Sequence, residues 1–220
     1  MVAIFVLLTI VAFVLIDFLI QRREVHKVRG TGPAPVLLDR FLIPKGYFVS
    51  RAHAWIEVLG GGKARIGIDD FVQKLIGTID EVIPIPPGTT IRKGDPLMTL
   101  RKGGRVLVIP SPLSGTVEAI NTDLIGNWSL VNQDPYDNGW VVLLEPTNLA
   151  EELPSAAIAT AATQWLRTEI SRFRDFLNGL RSPQPAGATL LDGGVPVAGV
   201  LSMTDDETWN RFGREFLSGS

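Results

Sequence analysis

Hydrophobic and polar residues are distributed differently in successive parts of the chain. Residues 1–20 are apolar except for Thr9 and Asp17, and as a helix they would be about 30 Å long. Since that length spans a bilayer, residues 1–23 are predicted to form a transmembrane anchor. Residues 24–45 mix charges with glycine and proline without a sustained period and are predicted to be a linker.

Basic residues lie on only one side of the predicted anchor. None precedes it, and four follow it closely: Arg22, Arg23, Lys27 and Arg29. The positive-inside rule therefore predicts a single-pass protein of the cell (inner) membrane whose remaining residues are cytoplasmic. A cleaved signal peptide is disfavoured, because the segment has neither a basic start nor a small-residue cleavage site.

Residues 46–150 contain short runs of valine, isoleucine and leucine separated by glycine, proline and aspartate. This pattern is typical of an all-β domain with many short strands. Two of its segments are alike, residues 76–82 (IGTIDEV) and residues 114–120 (SGTVEAI). Each would bury alternate residues, Ile79 or Val117, against the other half. A two-sheet sandwich with quasi-twofold symmetry is expected.

A pair of glycines between the halves predicts a projecting hairpin. Residues 97–101 and 105–109 have the pattern of strands and flank a tight turn at Gly103 and Gly104. Paired glycines favour such a turn because both can adopt positive φ. The predicted tip carries three cations that are candidates for partner binding, which are Arg101, Lys102 and Arg105.

His53 and Trp55 alternate with apolar residues of a strand upstream of this hairpin. They would share the face opposite Ala54 and Ile56. Two interpretations stay open, a partner-binding face and packing between the sheets.

Residues 151–181 have helical periodicity and are predicted to form an amphipathic helix. Its apolar positions are Leu166, Ile170, Phe173, Leu177 and Leu180.

Residues 182–220 are predicted to form a docking tail with a small hairpin at 190–195 and a terminal helix. Thr204 and Glu207 have the spacing of a capping box for that helix. Three aromatic residues would share one of its sides and are candidates for partner binding: Trp209, Phe212 and Phe216. A tail this small cannot bury a core of its own, so it should dock onto the sandwich or onto another subunit.

Composition narrows the possible functions. A formal net charge of −2 gives no basic excess for nucleic acid binding. The chain has no cysteine and only two histidines, which excludes disulfides, thiolate nucleophiles and multi-histidine metal sites. No serine or threonine adjoins His53 as a nucleophile would. We therefore expect no catalytic residues, no bound metal and no enzymatic activity.

The β domain resembles the H protein of the glycine cleavage system over about residues 47–146. Residues 131–140, VNQDPYDNGW, are similar to the family segment VNxDPYxxGW. Residues 53–55 (HAW), 67–71 (GIDDF) and 111–115 (SPLSG) resemble its HEW, GITDYA and APVSG segments. The resemblance implies a mainly β, lipoyl-type barrel-sandwich hybrid, here with an N-terminal transmembrane helix and C-terminal helices.

The resemblance also implies a cofactor position. Family members carry lipoate on a lysine at the hairpin tip, in a sequence like ESVKA. The arm shuttles an aminomethyl group between the decarboxylase, the aminomethyltransferase and lipoamide dehydrogenase. Here Gly104 aligns with that lysine and Arg101 with the preceding glutamate. Glycine has no amine to acylate, and the nearby Lys102 lies two residues too early.

Three functions follow, in order of preference. The first is a membrane-tethered, non-catalytic scaffold or accessory subunit of a membrane-associated enzyme or redox complex, which binds other protein subunits and no cofactor. The alternative is a lipoyl carrier that uses Lys102. An export-pump adaptor comes last, because such adaptors insert a long helical hairpin where this chain has only the turn at Gly103 and Gly104.

Overall fold

The computed structural model describes residues 36–38, 41–43, 45–180 and 196–219. Strands predominate in these ranges up to Pro146, as predicted. The strands are β1 (Val36–Leu38), β2 (Phe41–Ile43), β3 (Phe48–Val49), β4 (Ala54–Val58), β5 (Ala64–Ile68), β6 (Glu81–Pro84), β7 (Thr90–Ile91), β8 (Pro96–Lys102), β9 (Arg105–Pro110), β10 (Gly115–Ile120), β11 (Val142–Pro146) and β12 (Ala157–Ile158).

The helices lie mainly in the second half of the chain. They are α1 (Asp70–Ile76), α2 (Leu130–Gln133), α3 (Leu149–Glu152), α4 (Ala159–Asn178) and α5 (Asp206–Phe216). Short 3₁₀ turns occupy Gly60–Gly62, Thr122–Leu124, Leu153–Ser155 and Val200–Met203.

Two antiparallel sheets form the sandwich. The larger has the strand order β12-β3-β4-β5-β11-β10-β7, and the smaller has the order β6-β8-β9. The two repeated segments meet in the interior, where Ile79 and Val117 are both buried, as the repeat predicted. Gly115 begins β10 at a close approach of two strands, since a Cβ there would overlap the carbonyl oxygen of Glu145. The glycine of this repeat is therefore required by packing.

The hairpin between the halves is confirmed. Strands β8 and β9 pair from Pro96 and Pro110 at the base to Lys102 and Arg105 beside the turn. Gly103 and Gly104 form the turn with φ of 57° and 81°, which are the positive values that glycine tolerates best. Because the turn has only these two residues, the hairpin holds no helical insertion of the kind that export-pump adaptors have.

The predicted linker ends earlier than expected. Residues 36–43 contain a small hairpin in which β1 pairs with β2, and the side chains of Phe41 and Ile43 are buried. The backbone N–H of Leu42 donates to Asp70 Oδ2 over 2.6 Å. The sequence did not reveal this hairpin, because Phe41 and Ile43 become buried only once elements distant in sequence, such as α1, are in place.

The carboxylates of Asp69 and Asp70 favour the start of helix α1 at this point of the chain. Asp69 is the N-cap, and its Oδ1 accepts from the N–H of Val72 over 2.9 Å. A carboxylate at this end satisfies a free N–H group and opposes the positive end of the helix dipole.

Helix α4 confirms the amphipathic prediction for residues 151–181, although the helix itself is shorter. Its buried stripe contains Leu166, Ile170, Phe173 and Leu177, together with Phe176, which the periodicity did not single out.

Helix α5 docks within the same chain. Trp209, Phe212 and Phe216 are buried, and Trp209 Nε1 donates to the carbonyl of Val106 in β9 over 2.9 Å. The rings of Phe173, Phe176, Phe212 and Phe216 have centroids 4.8 to 6.3 Å apart. The three aromatic residues proposed for partner binding are therefore interior residues of this chain.

The cap of α5 lies one residue later than predicted. Asp205, not Thr204, is the N-cap, and its carboxylate accepts from the N–H of Thr208 over 2.8 Å. The Thr204 hydroxyl donates instead to the carbonyl of Leu201. The predicted hairpin at 190–195 lies outside the described residues.

Within the described ranges, no helix combines the length and apolar character needed to cross a bilayer. The anchor predicted at residues 1–23 lies outside those ranges.

Candidate functional site

A single carboxylate holds the tip of the hairpin. Asp80 Oδ2 accepts from the backbone N–H of Gly103 over 2.7 Å, and Asp80 Oδ1 lies 3.1 Å from Lys102 Nζ. These two donors, the Gly103 N–H first, lower the pKa of Asp80 below its usual value. Lys102 is thus the last residue of β8, beside the turn, with its amine held against the hairpin.

The other two cations of the tip are also paired. Arg101 Nη1 lies 3.0 Å from Glu81 Oε2. The guanidinium of Arg105 donates to the carbonyls of Ser202 and Thr204 over 2.8 and 2.9 Å. All three cations of the predicted tip are therefore bound to other groups of the chain.

Arg105 also fastens the hairpin to the C-terminal tail. Its guanidinium carbon lies 4.5 Å from the ring centroid of Trp209. The Arg105 side chain is only 20% exposed, which leaves little of it for a partner. Of the three predicted cations, Arg101 and Lys102 stay accessible in part, whereas Arg105 is an internal link.

An apolar strip lies on the solvent face of the smaller sheet, next to the tip. Its members are Ile83, Val106 and Val108, with exposures of 36%, 48% and 43%. Ile83 pairs with Thr99, and Thr99 pairs with Val108, so these side chains form a row on one face. Val106 lies two residues before Val108 on the same face. This strip, formed by β6 and β9, is an exposed apolar surface beside the tip.

His53 and Trp55 do not belong to a surface. Both side chains are fully buried, so the interpretation as a partner-binding face is wrong, and packing accounts for both residues. Trp55 packs with Tyr47 and Tyr136, and a Cβ on Gly67 would come within 2.5 Å of its ring. Glycine is needed at position 67 to make room for the indole.

His53 lies between two carboxylates. Its Nδ1 is 2.6 Å from Asp69 Oδ2, and its Nε2 is 3.6 Å from Glu169 Oε1 on α4. The ring stacks on Phe71 with centroids 4.9 Å apart. This arrangement ties the sandwich to α4 through a charged group in the interior.

The electrostatics favour a protonated ring. Burial lowers the pKa of His53, but Asp69 and Glu169 outweigh burial and raise the pKa to about 9. Burial raises the pKa of Glu169, but His53 and Arg172 reverse that effect and hold it below its usual value. Arg172 Nη1 lies 2.7 Å from Glu169 Oε1, so one carboxylate serves both cations.

The tyrosine of the VNQDPYDNGW segment connects distant parts of the fold. The Tyr136 hydroxyl donates to the carbonyl of Leu42 over 2.9 Å and accepts from the N–H of Asp70 over 3.0 Å. Tyr136 therefore joins β2 to the start of α1. Asp134 of the same segment acts locally, because its Oδ2 accepts from the N–H of Asn138. The segment most typical of the resemblance is structural.

Sequence reasoning missed Asp80 and Glu169, although a signal was present for each. Asp80 occupies the same place in the first repeated segment as Glu118 in the second, and such an acid beside a basic tip is a natural partner. Glu169 lies between Leu166 and Ile170, within the apolar stripe of the helix. An acid at such a position requires a buried cation.

Lipoate would require an amine at the tip, and Lys102 Nζ is the amine that the structure places there. Among the residues that the structure describes, no group of three or more histidine, aspartate or glutamate side chains could hold a metal ion.

Comparisons with known proteins agree with this architecture. A family model described as "Glycine cleavage H-protein" matches residues 47–168, more than half of the chain. A "Probable glycine cleavage system H protein" of Thermococcus kodakarensis is 34% identical over 131 residues, which cover 60% of this chain and 97% of that protein. "Glycine cleavage system H protein 2" of Aquifex aeolicus is 32% identical over 132 residues, which cover 60% of this chain and 82% of that protein.

A solved structure has the same fold. The crystal structure of a glycine cleavage system H protein from Mycobacterium marinum matches with a TM-score of 0.50 and 21% identity, covering 57% of this chain and 99% of that one.

The raised pKa of His53 should make the stability of the folded chain depend on pH. The pKa of His53 is raised from 6.5 to about 9 in the folded chain, so its stabilising effect is complete below pH 6.5 and is lost as the pH rises through about 9. The free energy of unfolding in urea should therefore fall over that interval, by on the order of 3 kcal/mol. His53→Gln is the control and should lack this component. Parallel pH profiles for the two proteins would contradict the assignment.

Proposed function

The chain belongs to the glycine cleavage H-protein family, and from this premise we propose that its sandwich is a membrane-tethered, non-catalytic protein-binding module. In this role it would serve as a scaffold or accessory subunit of a membrane-associated enzyme or redox complex. The observation that carries the proposal is the hairpin turn, which consists of Gly103 and Gly104. Neither residue offers an amine for acylation at the apex.

The contacts of the tip also favour a fixed recognition surface. Asp80 binds both Lys102 and the backbone of Gly103, and Arg105 is joined to the tail. A hairpin held on both sides keeps its outer face in one orientation, which lowers the entropic cost of binding a partner. The apolar strip of Ile83, Val106 and Val108 supplies the contact area.

A lipoyl carrier is the second candidate, and family membership favours it. The relatives are named as H proteins, which supports a carrier more directly than it supports a scaffold. Lys102 lies one residue from the turn, and its side chain is 26% exposed. Acylation of this amine would remove its charge and break the ion pair with Asp80.

The membrane tether rests on the hydrophobic pattern of residues 1–20 and on the cations that follow it. A tethered module would hold its partner complex close to the bilayer, on the cytoplasmic side.

Mass spectrometry separates the scaffold from the carrier. The intact chain isolated from its own host should have the mass of the unmodified sequence. Incubation with lipoate, ATP and the host's lipoate ligase should leave wild type and Lys102→Arg unmodified. It should modify Gly104→Lys, which puts an amine at the apex, where a Cβ meets nothing within 4 Å. Because the φ of 81° at that position strains any side chain, the melting temperature of this variant is measured first to show that it folds. A lipoyl increment on wild type that disappears in Lys102→Arg would establish the carrier instead.

The apolar strip should be required for the partner complex. Val108→Glu places a charge in the contact and should reduce the amount of partner that co-purifies from detergent-solubilised membranes by about tenfold. Ile125→Glu is the matched control, because Ile125 is 63% exposed and lies outside the strip. Equal recovery with both variants would exclude the strip as the docking surface.

Fractionation tests the tether. The full chain should stay with the membrane pellet after extraction at alkaline pH, whereas a chain without residues 1–23 should move to the supernatant. Release of the full chain under the same extraction would show that residues 1–20 do not span the bilayer.

A further inference from the structure

We propose that a pocket at the base of the β8–β9 hairpin, away from the tip, binds a phosphate group. The pocket has a volume of about 130 Å³. Its polar lining comes from four segments that are separate along the chain, and includes Ser50, Arg51, Lys93, Gly94, Ser111 and Ser155. This site is independent of the function proposed for the tip.

Part of the polar lining is used within the fold. The carbonyl of Ser50 accepts from the N–H of His53, and the carbonyl of Ser111 accepts from the N–H of Gly94. The Ser111 hydroxyl donates to the carbonyl of Leu113, and the Ser155 hydroxyl donates to the carbonyl of Glu152. These two hydroxyls have therefore used their protons, and a ligand must find its donors elsewhere in the lining.

Three other side chains of the lining keep hydrogens that a ligand can accept, and they are Ser50, Lys93 and Arg51. The Ser50 hydroxyl accepts from the N–H of Ala54, which leaves its own proton for a ligand. Lys93 Nζ uses one of its three hydrogens on Ser155. Arg51 adds a guanidinium that can bind two oxygens of one phosphate side by side.

In the described part of the chain, neither Arg51 nor Lys93 forms an ion pair. The carboxylate of Glu152, close in sequence to Ser155, is bound to the backbone and hydroxyl of Ser114. Two uncompensated cations and a free hydroxyl around one pocket favour a ligand with several anionic oxygens, as a phosphate has.

That phosphate could belong to a soluble molecule or to a lipid headgroup. The full chain in a neutral detergent would be titrated with inorganic phosphate, with glycerol phosphate, and with phosphatidic acid added to the micelles. Saturable stabilisation by the soluble compounds would identify a soluble ligand, and saturation by phosphatidic acid alone would identify a headgroup. Either result supports the site.

Substitutions locate the binding. Arg51→Gln/Lys93→Gln should weaken phosphate binding by about tenfold or more, because both charge-assisted contacts are lost. The control Lys45→Gln/Lys63→Gln removes the same charge elsewhere and should bind as wild type does. Because Arg51 and Lys93 are both exposed, the melting temperature without ligand should not change. Equal affinity in the two double variants, or no saturation by any of the three ligands, would overturn the proposal.

Discussion

A buried histidine that lies between two carboxylates connects the sandwich to α4. His53 belongs to the turn before β4, Asp69 caps α1, and Glu169 lies on α4, so the ion pairs join three elements that are far apart in sequence. A charge in an apolar interior is tolerated only when its partners are held in place. The position of α4 on the sandwich is therefore tied to this contact.

Further contacts extend from α4 to the hairpin tip. Phe173 and Phe176 of α4 pack against Phe212 and Phe216 of α5. Helix α5 in turn holds β9 through Trp209, and the segment before α5 binds Arg105. The C-terminal helices thus hold the hairpin in place.

Local patterns were enough to predict much of the fold. Alternating apolar residues, the glycine pair at 103–104 and the helical stripe of α4 each reflect geometry within a few residues. Contacts between distant residues were not predictable in the same way. Arg105 binds carbonyls 97 and 99 positions away, and nothing local distinguishes it from a solvated arginine. His53 and Trp55 were ambiguous for a similar reason, because a strand residue reveals its neighbours on the sheet only once the other elements are placed.

The bond between the Trp209 indole and the Val106 carbonyl has a further effect on association. Strand β9 is an outer strand of its sheet, and an outer strand with free backbone groups is a template for pairing with another molecule. Helix α5 lies along β9 and uses one of those groups. The tail thereby covers part of this edge and discourages copies of the protein from joining edge to edge.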